Sequence, residues 1–169
     1  DNVRLNPGWG GGALWDVGVY PISLAQYVMG GPPKRVFGDQ WLGDSGVDMG
    51  FVGQMRYDDR RMAQVACSFY TPYHTRAEIT GTEGTLTLNR PFTAMDDGAQ
   101  HLFFTPPNGD PVAVPLPGEP LYLGEIEDMH AAILDGRPSY LTLEESRNHV
   151  RTTLALYESA GTNQIVHLD

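Results

Sequence analysis

Asp16 and Tyr20 lie four residues apart inside "GGGALWDVGVYPISLAQYVMG", positions 10–30. If the segment is helical, residues i and i+4 share a face and their side chains can touch. A phenol can give a proton to a reacting oxygen or hold that oxygen by a hydrogen bond. A carboxylate beside it can orient the phenol or accept its proton. Two other roles fit as well: Asp16 can cap a chain end or satisfy the amides of Gly10, Gly11 and Gly12, and Tyr20 can be a core residue with its hydroxyl tipped toward water.

A second group stands in "TPYHTRAE". Tyr73, His74 and Arg76 fall just past a strand end, where such side chains form a polar rim able to contact substrate hydroxyls. A histidine there can equally be a plain exposed loop residue. His130 lies among apolar neighbours and reads as a hydrogen-bonded core histidine. His101, His149 and His167 have no metal-ligand spacing with one another or with Cys67, and "HAAILD" is not a zinc-binding helix motif. Ser68 and Ser159 lack the context of a hydrolase nucleophile. The three glycines expose amides at a helix start, which can bind an anion. They do not form a dinucleotide fingerprint, because no G-x-G-x-x-G follows an apolar strand. No cofactor-binding or metal-binding residue is therefore predicted.

The elements that must position these residues follow from periodicity. Leu14, Val17, Tyr20, Leu24 and Val28 recur at helical spacing and predict a helix over 13–29, kinked at Pro21 and stopped by "GGPP". The period then changes to two. Met49, Phe51, Gly53, Met55 and Tyr57 alternate with Gly50, Val52, Gln54 and Arg56. Ala63, Val65, Cys67 and Phe69 alternate with Gln64, Ala66, Ser68 and Tyr70 after a turn at "DDRR". "KRVFGDQW", "RAEITG", "GTLTLNR", "HLFFT" and "PVAVPL" complete about six or seven strands. Their connections are too short for crossovers, so the sheet is antiparallel. A helix follows near 121–134, with Leu123, Ile126, Met129, His130 and Ile133 on its inner side. A capping box, Thr142 with Glu145, opens another helix that runs to about Ser159 with Val150, Leu154 and Tyr157 inward. The tail after "AGTNQ" is expected on the surface. The fold class is α+β: an open, predominantly antiparallel β-sheet with helices packed on one face, in a single domain over residues 1–169. The other sheet face, neither strongly charged nor clearly polar, is expected to meet another copy or another domain.

Composition narrows the partners. The chain has 169 residues and a net charge of −10, with one lysine, Lys34, among 11 basic residues. Nothing electrostatic draws it to nucleic acid or anionic membrane. No apolar run is long enough for a membrane-spanning helix, and "DNVRLNPGWGGG" is not a signal peptide. A lone Cys67 forms no internal disulfide and fits a cytoplasmic location.

Four pieces in order, "GGGALWDVGVYPISLAQYVMG", "AEITGTEGTLTL", "EIEDMHAAILDGRP" and "SRNHVRTTLALYESA", resemble the C-terminal domain of the glucose–fructose oxidoreductase, inositol dehydrogenase and rhizopine-catabolism (MocA) oxidoreductase family, in its dihydrodiol dehydrogenase-like branch. The resemblance implies NAD or NADP bound by an N-terminal Rossmann domain, whose E-K-P lysine shares in acid–base chemistry. It implies hydride transfer at a sugar, polyol or cyclic diol, and a homo-oligomer formed through the sheet. It places the family's D-x-G-x-[YH] acid and tyrosine on Asp16 and Tyr20. This chain has no Rossmann fingerprint and no E-K-P, and Lys34 precedes a strand where it cannot replace that lysine. It reads as the substrate-side half of a longer NAD(P)-dependent dehydrogenase, a fragment inactive and free of nucleotide on its own. The alternative is a non-catalytic oligomerisation or sugar-binding module.

Overall fold

The structure is a computed structural model that describes residues 2–58, 60–92, 101–116 and 122–168. It divides into two compact units, residues 1–71 with 141–169, and 72–140. The strands predicted as one sheet form two four-stranded sheets, one in each unit.

In the first unit, two 3-10 turns (Val3–Leu5 and Pro7–Trp9) lead into a helix. The helix begins as a π-turn, Leu14–Gly18, and continues as α1, Val19–Met29. Pro21 explains the widened turn. It cannot donate to the carbonyl of Val17, and its ring crowds that oxygen. A wider turn just ahead of it relieves the clash while the chain stays helical. Gly30, at φ 76°, ends the helix in the left-handed region that glycine adopts freely.

Strands β1 (Arg35–Leu42), β2 (Asp48–Arg56) and β3 (Met62–Ser68) follow as antiparallel neighbours, with the turn between β2 and β3 where "DDRR" predicts it. The alternation holds: Phe51, Met55 and Val65 are buried, and Val52, Gln54, Gln64 and Ala66 are exposed. The buried side meets Leu14, Ile22 and Leu156 in one apolar core, so helices cover one face of this sheet.

Helix α3, Leu143–Thr162, starts at the expected capping box but is turned differently from the prediction. Val150 and Leu154 are exposed, and Thr152, Thr153, Ala155, Leu156 and Ser159 face inward. The cause is close packing on β1. A Cβ at Gly38 would lie 2.7 Å from the Leu156 carbonyl oxygen, so only glycine lets the backbones approach so nearly. Small hydroxyl residues suit that gap, and their polar atoms are satisfied. Thr152 and Thr153 donate to the Asn148 and His149 carbonyls at 2.8 and 3.0 Å. Ser159 Oγ accepts from the Gly38 amide at 3.0 Å.

The tail, predicted as surface, forms the short strand β8 (Val166–His167), which pairs antiparallel with β1 through Val36–Val166. Val166 and Leu168 pack against the core, which supplies the reason.

The second unit is an antiparallel meander of four strands. They are β4 (Arg76–Gly81), β5 (Gly84–Asn89), β6 (His101–Thr105) and β7 (Val112–Val114). It also holds α2, Leu123–Leu134. Most of the side of α2 expected to face inward is exposed, including Ile126, Met129, His130 and Ile133; Leu123 alone of that set is half-buried. His130 is therefore no core histidine. Asp128 explains the orientation: its carboxylate accepts from Ser139 Oγ at 2.7 Å and the Tyr140 amide at 2.8 Å, which ties that side of the helix to the returning chain. Among the described residues no helix is long and apolar enough to cross a membrane.

Candidate active site

The buried stripe of the first helix runs through Leu14, Gly18, Ile22 and Gln26, four residues apart. Tyr20 lies off that stripe and is 51% exposed. It is thus not the core residue that helical periodicity permits. The π-turn alters the geometry expected for its neighbour. One turn there spans five residues rather than four, so the step from Asp16 to Tyr20 falls short of a full turn where the helix is widened. Widened turns of this kind recur at functional sites.

Asp16 is held from outside the helix. Arg4 Nε donates to Asp16 Oδ2 at 2.7 Å. The Arg4 side chain is 53% exposed and that of Asp16 29%. A pair so open to water contributes about 0–1 kcal/mol to stability. Its weight lies in where it places the carboxylate.

Gly10 sits in the left-handed region at φ 73°, and Gly11 and Gly12 are explained by packing. The Gly11 amide donates to the Asn6 carbonyl at 3.0 Å, and the Gly12 amide to the Arg4 carbonyl at 2.9 Å. A Cβ on Gly11 would come within 2.6 Å of the Arg4 oxygen, and one on Gly12 would overlap the Asp48 carboxylate. Both amides are taken by backbone carbonyls, so neither is on offer to a phosphate, and Asp16 does not satisfy them either.

Asp48, at the head of β2, is 2% exposed and was not singled out by sequence reasoning. One oxygen accepts from the Leu14 amide at 2.7 Å, which caps the π-turn, and the other from the Tyr157 hydroxyl at 2.7 Å. The cap on this helix comes from 34 residues away in the chain. Burial, and then the hydrogen bond to Asp48, push the Tyr157 hydroxyl well above the usual phenol range, so it remains a donor. Burial, followed by the charge of Asp48, raises the Cys67 thiol to about 12. The thiolate that reactive cysteines need is suppressed. His149 on α3 approaches the Val19 carbonyl, Nε2 to oxygen 3.0 Å, which buttresses the backbone next to Tyr20. An imidazole N–H must be the donor to that carbonyl, and burial lowers the His149 pKa.

Tyr73, His74 and Arg76 are exposed and belong to the second unit. Tyr73 lies under the Arg90 guanidinium, 6.0 Å from ring centroid to carbon, and Arg76 pairs with Glu78. Asp16 and Tyr20 belong to the first unit, as do Arg4, Asp48 and Tyr157. Among the described residues no group of three or more His, Cys, Asp or Glu side chains is placed to hold a metal ion.

Residues 1–87 match the model of the GFO/IDH/MocA C-terminal domain. The chain belongs to the GFO/IDH/MocA oxidoreductase family. Over all 169 residues this GFO/IDH/MocA domain is 32% identical to D-xylose 1-dehydrogenase (NADP(+)) 2 of Haloferax volcanii, and it spans 52% of that protein. It is 35% identical over 78 residues to trans-1,2-dihydrobenzene-1,2-diol dehydrogenase of Danio rerio, covering 46% of this chain and 23% of that one. Its fold matches the crystal structure of aldose-aldose oxidoreductase from Caulobacter crescentus complexed with glycerol. The TM-score is 0.88 at 21% identity, over 99% of this chain and 51% of the other. The chain thus spans about half the length of relatives it matches along its whole course.

Asp16 and Tyr20 were singled out as candidates from their motif. Arg4 and Asp48 were not, although Arg4 stands in the polar lead segment and Asp48 heads an otherwise apolar alternation, the kind of position where a carboxylate must find partners.

Proposed function

We propose that this GFO/IDH/MocA domain is the substrate-side half of an NAD(P)-dependent oxidoreductase acting on a sugar, polyol or cyclic diol. Tyr20 is its acid–base residue and Asp16 its partner. The observation that carries the proposal is a half-exposed phenol next to a π-turn whose carboxylate is already oriented by Arg4. The names of the relatives, a xylose dehydrogenase and a dihydrodiol dehydrogenase, support the substrate class.

The nicotinamide, bound by a Rossmann domain in the intact protein, supplies the hydride chemistry. This chain's part is at the substrate hydroxyl. Tyr20 would accept that proton as the alcohol becomes a carbonyl while passing its own phenol proton to the neutral Rossmann lysine, and the relay would run backward in reduction. Asp16 orients Tyr20 or a neighbouring substrate hydroxyl. Tyr73, His74 and Arg76 are proposed as further hydroxyl contacts. Without the nucleotide-binding half the domain neither binds NAD(P) nor turns over.

The bare face of the first sheet, with Trp41, Val52, Met62 and Tyr70 between 54% and 66% exposed, supports association with a second copy. A module serving only for association or sugar binding would need that face and not Tyr20.

Tyr20→Phe in the intact protein separates the two. The ring stays, so packing changes little. Loss of a positioned acid–base group lowers kcat by about 10²- to 10⁴-fold. The assay is NAD(P)-linked turnover across aldoses, polyols and cyclic diols. Unchanged kcat in the phenylalanine variant would return Tyr20 to scaffolding.

A further inference from the structure

We propose that Arg4 is a positioning residue for Asp16, and that the turn through Gly11 and Gly12 brings it there; this rests on the reading of Asp16 and Tyr20 as the acid–base pair. Gly12 is bonded to both partners at once. Its N–H donates to the Arg4 carbonyl at 2.9 Å, and its carbonyl accepts from the Asp16 amide at 3.1 Å. The two backbones are therefore fixed relative to each other before any side chain is considered. Further bonds stiffen the Arg4 side of that frame. Asn2 Oδ1 accepts from the Arg4 amide at 3.1 Å, Asn6 Oδ1 accepts from the Gly8 amide at 2.9 Å, and the Asn6 carbonyl accepts from Gly11. Gly11 has no Cβ at the point where the Arg4 carbonyl passes, 2.6 Å from where that carbon would be. The result is a short loop, 4 to 12, that serves as a mount for one guanidinium.

The contact uses Asp16 Oδ2 and the Arg4 Nε atom. A single directed hydrogen bond sets the rotation of the carboxylate, and Oδ1 takes no part in it. A pair this exposed adds little to stability, so an elaborate mount for it is out of proportion to any structural gain. It is in proportion to catalysis, where displacing a group by about 1 Å can cost about 10²-fold in rate.

The test is a double-mutant cycle in the intact protein, measured as kcat and KM with NAD(P) and the best substrate. Arg4→Met keeps an apolar stem as far as the Nε position and removes the donor and charge. It should lower kcat about tenfold in the parent background and less than twofold in an Asp16→Asn background, because the coupling runs through Asp16. KM should change less than kcat. Arg4→Lys, which retains charge and a donor, should recover part of the loss, and it keeps the test open if Arg4→Met folds poorly. Equal losses in both backgrounds would show a structural role and overturn the proposal. So would a normal kcat in Arg4→Met while Asp16→Asn is slow, an outcome that leaves the catalytic pair standing. Parent rates in both Asp16→Asn and Tyr20→Phe would overturn the catalytic pair and the role of Arg4 together.

Discussion

Removing the carboxylate of Asp48 should destabilise the chain by about 2–4 kcal/mol, through a mechanism that three variants can separate. In Asp48→Ala the Leu14 amide and the Tyr157 hydroxyl lose their acceptor at once, and both bonds are 2.7 Å long in the parent. Leu14 is fully buried, and Asp48 is 2% exposed, so water does not readily replace the lost partner. An orphaned buried donor costs about 1–3 kcal/mol, which for two donors gives about 2–6. The variant also removes a buried charge and so regains some desolvation, which brings the net toward the lower part of that range. Tyr157→Phe deletes one donor and leaves Asp48 its bond to Leu14, for about 1.5–3 kcal/mol. Asp48→Asn keeps the shape and one acceptor, and should fall between the parent and Asp48→Ala. Urea unfolding of the three variants gives the free energies, with an unchanged m-value as the check that the unfolding event is the same. An Asp48→Ala variant within 0.5 kcal/mol of the parent would refute the view that this carboxylate holds the start of the helix.

Alkali should act on the same region. Tyr57 and Cys67 are both pushed up to about 12 by burial, from 10.0 and 9.0, and Tyr157 is raised as well. Folded pKa values above the unfolded ones give stability that is whole below the unfolded values and lost as pH rises through the folded ones. The urea midpoint should hold to about pH 9 and fall progressively toward pH 12, and a flat profile to pH 12 would contradict this. Gly38→Ala should cost about 1–3 kcal/mol in urea unfolding, because its methyl meets the Leu156 carbonyl rather than a side chain that can turn aside. Val52→Arg, on the bare sheet face, should lower the apparent mass in light scattering if that face binds a second copy, with little change in unfolding since Val52 is 54% exposed. An unchanged mass from a parent that associates would place the contact elsewhere.

What could be read from the sequence was local. Alternation in β2 and β3 assigns Phe51, Met55 and Val65 to the core because a strand's side chains must go to one face or the other, and the residues decide which. Thr142 and Glu145 announce a helix start because both partners of the cap lie within four residues. What could not be read depends on pairs distant in the chain. The strand at Val166–His167 exists only because β1 offers it an edge, and two residues carry no period to detect. The inward face of α3 is set by Gly38, more than a hundred residues earlier, which calls for threonine, alanine and serine where an apolar-moment argument looks for valine and leucine. Tyr20 was misplaced in the apolar stripe because the stripe was counted at uniform α spacing, and the π-turn breaks that count.

The site shows the same division, and it explains why "GGG" was ambiguous. Three glycines before a helix fit an anion cradle, a tight turn and a close packing contact equally well, since each needs the absence of a Cβ. Only the identity of what fills the space decides among them. Here Gly11 is passed by a backbone carbonyl and Gly12 by a carboxylate from β2, and both amides are already bonded to carbonyls. An anion does sit at this helix start, as an anion-cradle reading requires, but it is the protein's own Asp48. That position is filled from inside, and the next carboxylate along the helix, Asp16, is held separately by Arg4, so the proposed acid–base pair stands clear of the helix cap.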